Sequence, residues 1–324
     1  MSFYTQIDNQ NPTWFNSNAG LELMPHELYL REKDRGEIVD IFDSDKTYSG
    51  LDSCALNDCA GFILNVSEGC HVQEVIETTF SLKTNQTTQK IKNLIVIEEG
   101  ASVSIKVKCE SLESCTEGFH LGFDEIYLKK DAKLNIEITH TWSQNIQVRP
   151  AGKIVLGENA ILQASYSCLQ PVNDLKFLPL VELNGKNAKA SFLSTVQVYL
   201  GSDLKIGQRI MLNGDNTMAE SQSKIVSKGG KIENFMLIEA SGENVKGHID
   251  CQGLILEKNA EIKAVPELIV KSPTAELSHE AAIGGLNKAE LEYLQARGLS
   301  LTQAVSLLTR GFLGGEKDGL LFSN

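Results

Sequence analysis

From about Thr47 the chain alternates apolar and polar residues in short runs broken by Gly, Asn and Asp. Gly61-Phe62-Ile63-Leu64-Asn65-Val66 and Cys70-His71-Val72-Gln73-Glu74-Val75 read as two strands around a Ser-Glu-Gly turn. The stretch 83–90, KTNQTTQK, reads as a polar loop. Then one pattern recurs. The runs 94–101, 126–132, 154–160 and 181–188 are each a short strand, a turn of Gly, Asn or Asp, and a small residue that opens the next strand. The small residues at 101, 132, 160 and 188 are 31, 28 and 28 positions apart, and Thr217 follows 29 later. The run 253–260 reads as a member of the same set. Further turn clusters fall half a period away, at Asn173-Asp174, Ser202-Asp203 and Gly229-Gly230.

A fixed period of strand and turn predicts stacked coils, because one coil cannot bury its apolar positions alone while a stack builds a continuous core. Parallel strands joined by crossovers favour the right hand. The prediction is a mainly β chain whose core is a right-handed parallel β-helix spanning 47–280. Long intervals without a helical period argue against alternating strands and helices. Residues 1–46 read as a short cap, with Trp14-Phe15 in an Asn-rich stretch and one helix over 26–42. Residues 281–324 read as a small helical region. There Asn287 caps a first helix, with Glu290 completing a capping box, and Gly298 ends it. Ser300 and Gln303 cap a second, along which Ala304, Val305, Leu308 and Phe312 recur at helical spacing. Gly311 and the Gly314-Gly315 pair end it.

Composition narrows the function classes. The net charge of −12 argues against general nucleic-acid binding. No apolar run approaches the roughly 20 residues that span a bilayer. The start, MSFYTQIDNQ, has neither a basic region nor an apolar core, so cytoplasmic residence is expected. The seven cysteines, at 54, 59, 70, 109, 115, 168 and 251, are odd in number and contain no CxxC pair. That argues against a disulfide framework or zinc site and for small buried hydrophobes, although Cys54, Cys59 and Cys70 stand close enough to ligate a metal. No G-x-x-x-x-G-K-[ST] occurs, so ATP binding by this chain is not expected.

Pro266, the run Ser278-His279-Glu280-Ala281-Ala282-Ile283-Gly284, Tyr293-Leu294, Ala296-Arg297-Gly298-Leu299-Ser300, Ala304 and Gly311-Phe312 form many fixed positions at fixed spacing. Together they resemble the C-terminal signature of the SufB/SufD family of iron–sulfur cluster assembly proteins. The stretch 94–109, ending in Cys109, the tetrad Thr139-His140-Thr141-Trp142, where Gln is usual in place of His140, and the run 224–229 resemble further family segments. The Lys-Arg-Gly that usually follows the tetrad is missing.

The resemblance independently implies a parallel β-helix and a scaffold that builds a transient iron–sulfur cluster at a subunit interface. It implies a SufC-type ABC ATPase as partner and dimerisation with a second copy or a paralogue. It implies no catalysis by the chain itself. Candidate cluster ligands are His279, Glu280, Cys251 and Cys109, since such a cluster takes soft thiolates helped by imidazole or carboxylate. The candidate docking surface is Leu291, Tyr293, Leu294, Arg297, Leu308 and Phe312. The reactive cysteine of SufB proteins is expected at 260, where this chain has alanine. SufD-like structural partnership without ligands is therefore a second reading. A carbohydrate-active or acyltransferase β-helix enzyme is a third, disfavoured by the lack of clustered carboxylates or hexapeptide repeats. Nothing in the sequence encodes a flavin site.

Overall fold

A computed structural model describes residues 1–10, 12–25 and 60–314 of the 324. The expected helix over 26–42, Cys54 and Cys59 lie outside the described residues. The chain forms β1 (Ser2–Ile7), β2 (Thr13–Phe15), β3 (Leu21–Pro25), β4 (Phe62–Val66), β5 (Ile76–Leu82), β6 (Thr87–Ile97) and β7 (Ser102–Ser111). There follow β8 (Glu117–Leu128), β9 (Lys133–Thr141), β10 (Asn145–Leu156), β11 (Ile161–Cys168), β12 (Asp174–Phe177), β13 (Leu180–Leu183) and β14 (Lys189–Tyr199). The last elements are β15 (Asp203–Leu212), β16 (Met218–Lys228), β17 (Gly230–Ala240), β18 (Lys246–Ile255), β19 (Ala260–Val270), β20 (Glu276–Gly285), α1 (Lys288–Ala296) and α2 (Leu301–Leu313).

The strands alternate between two sheets, so each coil gives one strand to each. The first sheet runs β2-β1-β5-β7-β9-β11-β14-β16-β18-β20 and the second β19-β17-β15-β12-β10-β8-β6-β4-β3, with β13 also between β10 and β15. Pairing is parallel except at one end, where β2 lies antiparallel on β1 and β3 on β4. Along the first sheet Ser102 pairs with Lys133, Lys133 with Ile161, Ile161 with Lys189, Lys189 with Met218, Met218 with Lys246 and Lys246 with Glu276. Successive differences are 31, 28, 28, 29, 28 and 30, which is the period read from the sequence. The parallel β-helix is therefore the fold.

Alternation along each strand sends one set of side chains between the sheets. Ile105, Ile136, Leu162, Ala190, Ala219 and Ile249 are all buried there, in one continuous core. The turns from the second sheet into the first, except the last at 271–275, carry one residue at positive φ. It is Gly69, Gly100, Asp131, Asn159, Asn187, Asn216 and Asn244 in successive coils. Glycine reaches this conformation freely and Asn or Asp tolerate it. The side chains then stack. Asn159 donates to Asp131 at 2.8 Å, Asn187 to Asn159 at 2.9 Å and Asn216 to Asn187 at 3.3 Å. Behind them Ala101, Ala132, Ala160 and Ala188 are fully buried, and Thr217 and Val245 fill the same position in the next two coils.

Four expectations are corrected. The turn before Ala260 leads from the first sheet into the second, so it belongs to the other row. It lies 43 residues beyond Thr217, one and a half periods, and the true member is 241–245. The two rows use similar Gly/Asn chemistry, which is why the pattern misled. The stretch 87–90 is strand rather than loop. Gln89 is fully buried and its amide donates to the carbonyls of Asp8 and Ser81. Residues 70–75 make only an isolated bridge, His71 to Ser102. Residues 2–7, expected in a loose cap, instead pair in parallel with β5.

The second sheet breaks at Pro179 between β12 and β13, because proline offers no N–H to the ladder. In the next coil Gly207 sits at φ 139°, where a Cβ would lie 1.6 Å from the carbonyl oxygen of Phe235. The expected helices are present. Asn287 accepts from the N–H of Ala289 rather than forming a capping box, while Ser300 and Gln303 form one in full. Gly298 and Gly314 take positive φ after each helix, and Gly311 lies inside α2.

Replacing Asn187 should report on the stack. Asn187→Ala loses both ladder bonds and forces an L side chain into the left-handed region, which costs about 1–3 kcal/mol. Asn187→Gly keeps the backbone and loses only the bonds, so its urea midpoint should lie between wild type and Asn187→Ala. Equal midpoints for all three would show that the ladder contributes nothing.

Candidate functional site

The register defines which candidate groups meet. On the first sheet Cys251 pairs with Ala281, Ile249 with His279 and Asp250 with Glu280. Ile249 and Cys251 are buried between the sheets, at 0% and 2% exposure. His279 therefore continues the inward column one coil past Ile249, beside the column of Cys251, and it is exposed because β20 is the last strand. Glu280 falls on the outer face, next to Asp250. Cys109 lies five strand steps away, from β7 to β18, or roughly 24 Å at strand spacing. It does not join the other three. Ala260 opens β19 at the same end of the solenoid, on the opposite sheet.

Cys251 sits among polar and sulfur atoms. Its Sγ lies 3.6 Å from Met236 Sδ and 3.6 Å from Asn234 Nδ2. Burial pushes the thiol up from its ordinary value, opposed by a hydrogen bond with Ser223 and reinforced by Asp250. Burial likewise pushes Cys109 well up, with Asp124 and Glu110 adding to it. Neither is a ready thiolate in the isolated chain. Cys109, Cys115, Cys168 and Cys251 are buried and none of the described cysteines is bridged, as expected of small hydrophobes. Among the described residues no three His, Cys, Asp or Glu side chains gather as a metal site.

The interior carries more polarity than the strand pattern suggested. Gln208 donates to Ser221, and Asn234 donates to Ser223 at 2.6 Å, all four fully or nearly buried. Ser221 and Ser223 occupy inward positions of β16 between Ala219 and Ile225, a signal available in the alternation but passed over. Nearer the middle, His120, His140, Trp142, Tyr166 and Phe177 form an aromatic cluster. Trp142 is buried in the cluster, and its indole N–H has no partner. Gln89 uses its amide N–H groups on backbone carbonyls, so its oxygen accepts from His120 Nδ1 at 2.8 Å. His140 Nδ1 shares a 3.1 Å bond with the Tyr166 hydroxyl. A cavity of about 60 Å³ adjoins Tyr166, Phe177, Phe192, Ile206 and Gln208.

The helical hairpin hangs from β20 by a two-residue link. Leu291, Leu294, Leu308 and Phe312 are half-buried, Ala304 and Thr309 buried. Tyr293, Leu301 and Leu307 are the exposed apolar groups, at 58%, 54% and 44%. Arg297 stacks over the Tyr293 ring at 5.2 Å. Leu301 and Leu307 were not among the expected contact residues. They stand out only once the buried face of α2 is known.

The fold is a parallel solenoid with a thiol and an imidazole at one end. The sequence comparisons give it a family. The family model described as "SUF system FeS cluster assembly, SufBD core domain" matches residues 80–312. An iron–sulfur cluster assembly SufBD family protein of Archaeoglobus fulgidus is 34% identical over 323 residues, 98% of this chain and 85% of that protein. A homologue from Methanothermobacter thermautotrophicus (strain Winter) is 31% identical over 267 residues, 82% of this chain and 65% of that one. The iron–sulfur cluster assembly protein SufB of Bacillus subtilis is 24% identical over 273 residues, 83% and 58% of the two chains. The chain belongs to the SufBD family and takes part in iron–sulfur cluster assembly. Among the described residues no helix is long and apolar enough to cross a membrane.

The buried imidazoles predict a pH dependence of stability. Burial pulls His120 down to about 3, and burial with the neighbouring His120 does the same to His140, against an ordinary 6.5. Between these values the unfolded chain takes up protons that the native imidazoles refuse, so stability falls as pH falls. Burial raises Asp124 to about 6 against a bond from Asn93, which acts in the opposite direction between about 6 and 3.8. His140→Gln leaves that opposing effect in place and removes one imidazole. The stability lost between pH 7 and pH 5 should shrink by about 2 kcal/mol relative to wild type in urea titrations. An unchanged difference would mean that His140 is not held neutral.

Proposed function

We propose that this chain is a non-catalytic scaffold subunit that carries a nascent iron–sulfur cluster as cargo at the bare end of its solenoid. The observation that supports this reading is the pairing register at β18 and β20. It brings the column of Cys251 beside that of His279, at an end where β19 and β20 have no outer strand among the described residues. A thiolate and an imidazole suit iron. Two ligands from one chain make an incomplete site, which suits a cluster that must be released. The remaining ligands come from across the interface, supplied by a second copy or a SufB/SufD paralogue, with Glu280 on the outer face as a further carboxylate. A partner's strand can extend the bare parallel edges directly.

The energy source is a SufC-type ATPase, since this chain has no phosphate loop. The hairpin is its docking surface, with Tyr293, Arg297, Leu301 and Leu307 as exposed anchors and Leu291, Leu294, Leu308 and Phe312 shaping them from beneath. The chain works in the cytoplasm. A second reading is a structural SufD-like partner without ligands. The alanine at 260 favours it, because it removes a thiol from the opposite sheet at this end.

Anaerobic reconstitution with iron and sulfide, on chain co-expressed with its cognate ATPase, separates the two. Wild type should develop thiolate-to-iron absorbance and a cluster Mössbauer signal, and Cys251→Ala and His279→Ala should each lose most of it. Full cluster yield in both variants would overturn the ligand assignment and leave the structural partner. On the same material, Leu307→Asp should abolish co-elution with the ATPase while leaving the circular dichroism of the solenoid intact. Co-elution at wild-type strength would exclude the hairpin as the docking surface.

A further inference from the structure

Two sulfur atoms meet in the interior one coil below the bare end. Cys251 Sγ on β18 and Met236 Sδ on β17 come from opposite sheets and lie 3.6 Å apart. At a metal–sulfur length of about 2.3 Å, as in zinc sites, both can reach a single ion. Ser221 Oγ is 3.7 Å from the same Sδ. Asn234, fully buried, brings its amide to the pair. Its Nδ2 donates to Ser223 at 2.6 Å and approaches Cys251 Sγ at 3.6 Å, while its Oδ1 has no partner. Turning the amide over lets the oxygen accept from Ser223 and strands the nitrogen instead. Either way the amide atom on the side away from Ser223 and Cys251 is left unsatisfied, which is costly.

We infer that Cys251 and Met236, with Asn234 beside them, form a buried binding site for a soft monovalent cation, Cu(I). Thiolate and thioether sulfur are the ligands that select Cu(I). Charge decides the oxidation state. A thiolate with a monovalent ion is neutral, so the pair is tolerated in an interior that penalises net charge. A divalent ion with the same single thiolate leaves one positive charge buried. Binding releases the Cys251 thiol proton to solvent and forms the sulfur–copper bond, Met236 adds a lone pair, and nothing is oxidised or reduced. The roof over the site is thin. Ala281 lies over Cys251 in the strand register, Ala264 over Asn234 and Pro266 over Met236. Three short side chains of the terminal strands thus lie in register directly over the sulfurs and the amide.

The test is anaerobic titration of the full-length reduced chain with Cu(I) against bicinchoninate, with no iron, sulfide or ATPase present. The result is therefore independent of cluster assembly. Wild type should hold one tight equivalent more than Cys251→Ser, accompanied by thiolate-to-copper absorbance in the ultraviolet. Met236→Leu conserves volume and should keep that equivalent but bind it at least tenfold more weakly. Equal equivalents in wild type and Cys251→Ser would overturn the site, as would unchanged affinity in Met236→Leu. Should Cys251→Ser fail to fold by circular dichroism, the Met236→Leu affinity decides alone.

Discussion

The fold depends on one backbone requirement. A parallel stack reverses its chain at the same place in every coil, and in each of these turns but the last, at 271–275, one residue takes the left-handed region. Gly69, Gly100 and then Asp131, Asn159, Asn187, Asn216 and Asn244 meet that need in turn. The backbone N–H of each of these down to Asn216 donates to a carbonyl in the adjoining coil, as from Asn159 to Lys186 and from Asn187 to Asp215. Their side chains carry a second ladder above the first. Because the turns are locked coil to coil, the strands between them cannot slip. A one-residue slip would expose every buried side chain of a strand, so the turn row and the core enforce the same register.

That register is what gives single residues their neighbours. Residues some 30 positions apart become adjacent, and an inward column such as Phe192, Ser221, Ile249 and His279 runs down the solenoid like a single strip. Ser221 is the one polar group within the strip, and its last member is an imidazole at the end of the sheet. The next column passes from Tyr166 through Ser194 and Ser223 to Cys251 and Ala281. Polar groups therefore accumulate between the sheets toward the end where the strands run out. Such groups weaken a core unless they are satisfied. Most are paired here, and Trp142, Thr217 and Asn234 are among those that keep a buried polar atom without a partner.

The solenoid was legible because its period is written in turn residues whose φ requirement is strict. Asn159, Asn187 and Asn216 announce themselves at 28 and 29 residues. The helical hairpin was legible for a similar reason, through Ser300, Gln303 and Gly298. What failed was phase. Ala260 follows a turn of the same composition in the other row, and only pairing partners tell the rows apart. The strand over 87–90 was hidden because Gln89 is polar yet fully buried, and its partners, Asp8, Ser81 and His120, lie at distances in sequence that no local pattern carries. The separation of Cys109 from Cys251 was invisible for the same reason, since it is a count of coils.

The two ends of the solenoid are built differently, and the difference carries the functional argument. At one end β2 and β3 lie antiparallel on their neighbours. An antiparallel strand interrupts the parallel stacking, so the growing edge stops there. At the other end β19 and β20 continue the parallel ladder, and among the described residues no such strand follows them. Their exposed backbone groups are a template for another chain. A stable monomer gains nothing from leaving that edge bare, and the same edge holds Ala260, His279 and Glu280, with Cys251 one coil beneath. On the proposed scaffold reading, strand ends that invite a partner and ligands too few to complete a site alone are two expressions of one design: the subunit is half of a site, and the rest arrives with whatever covers the end.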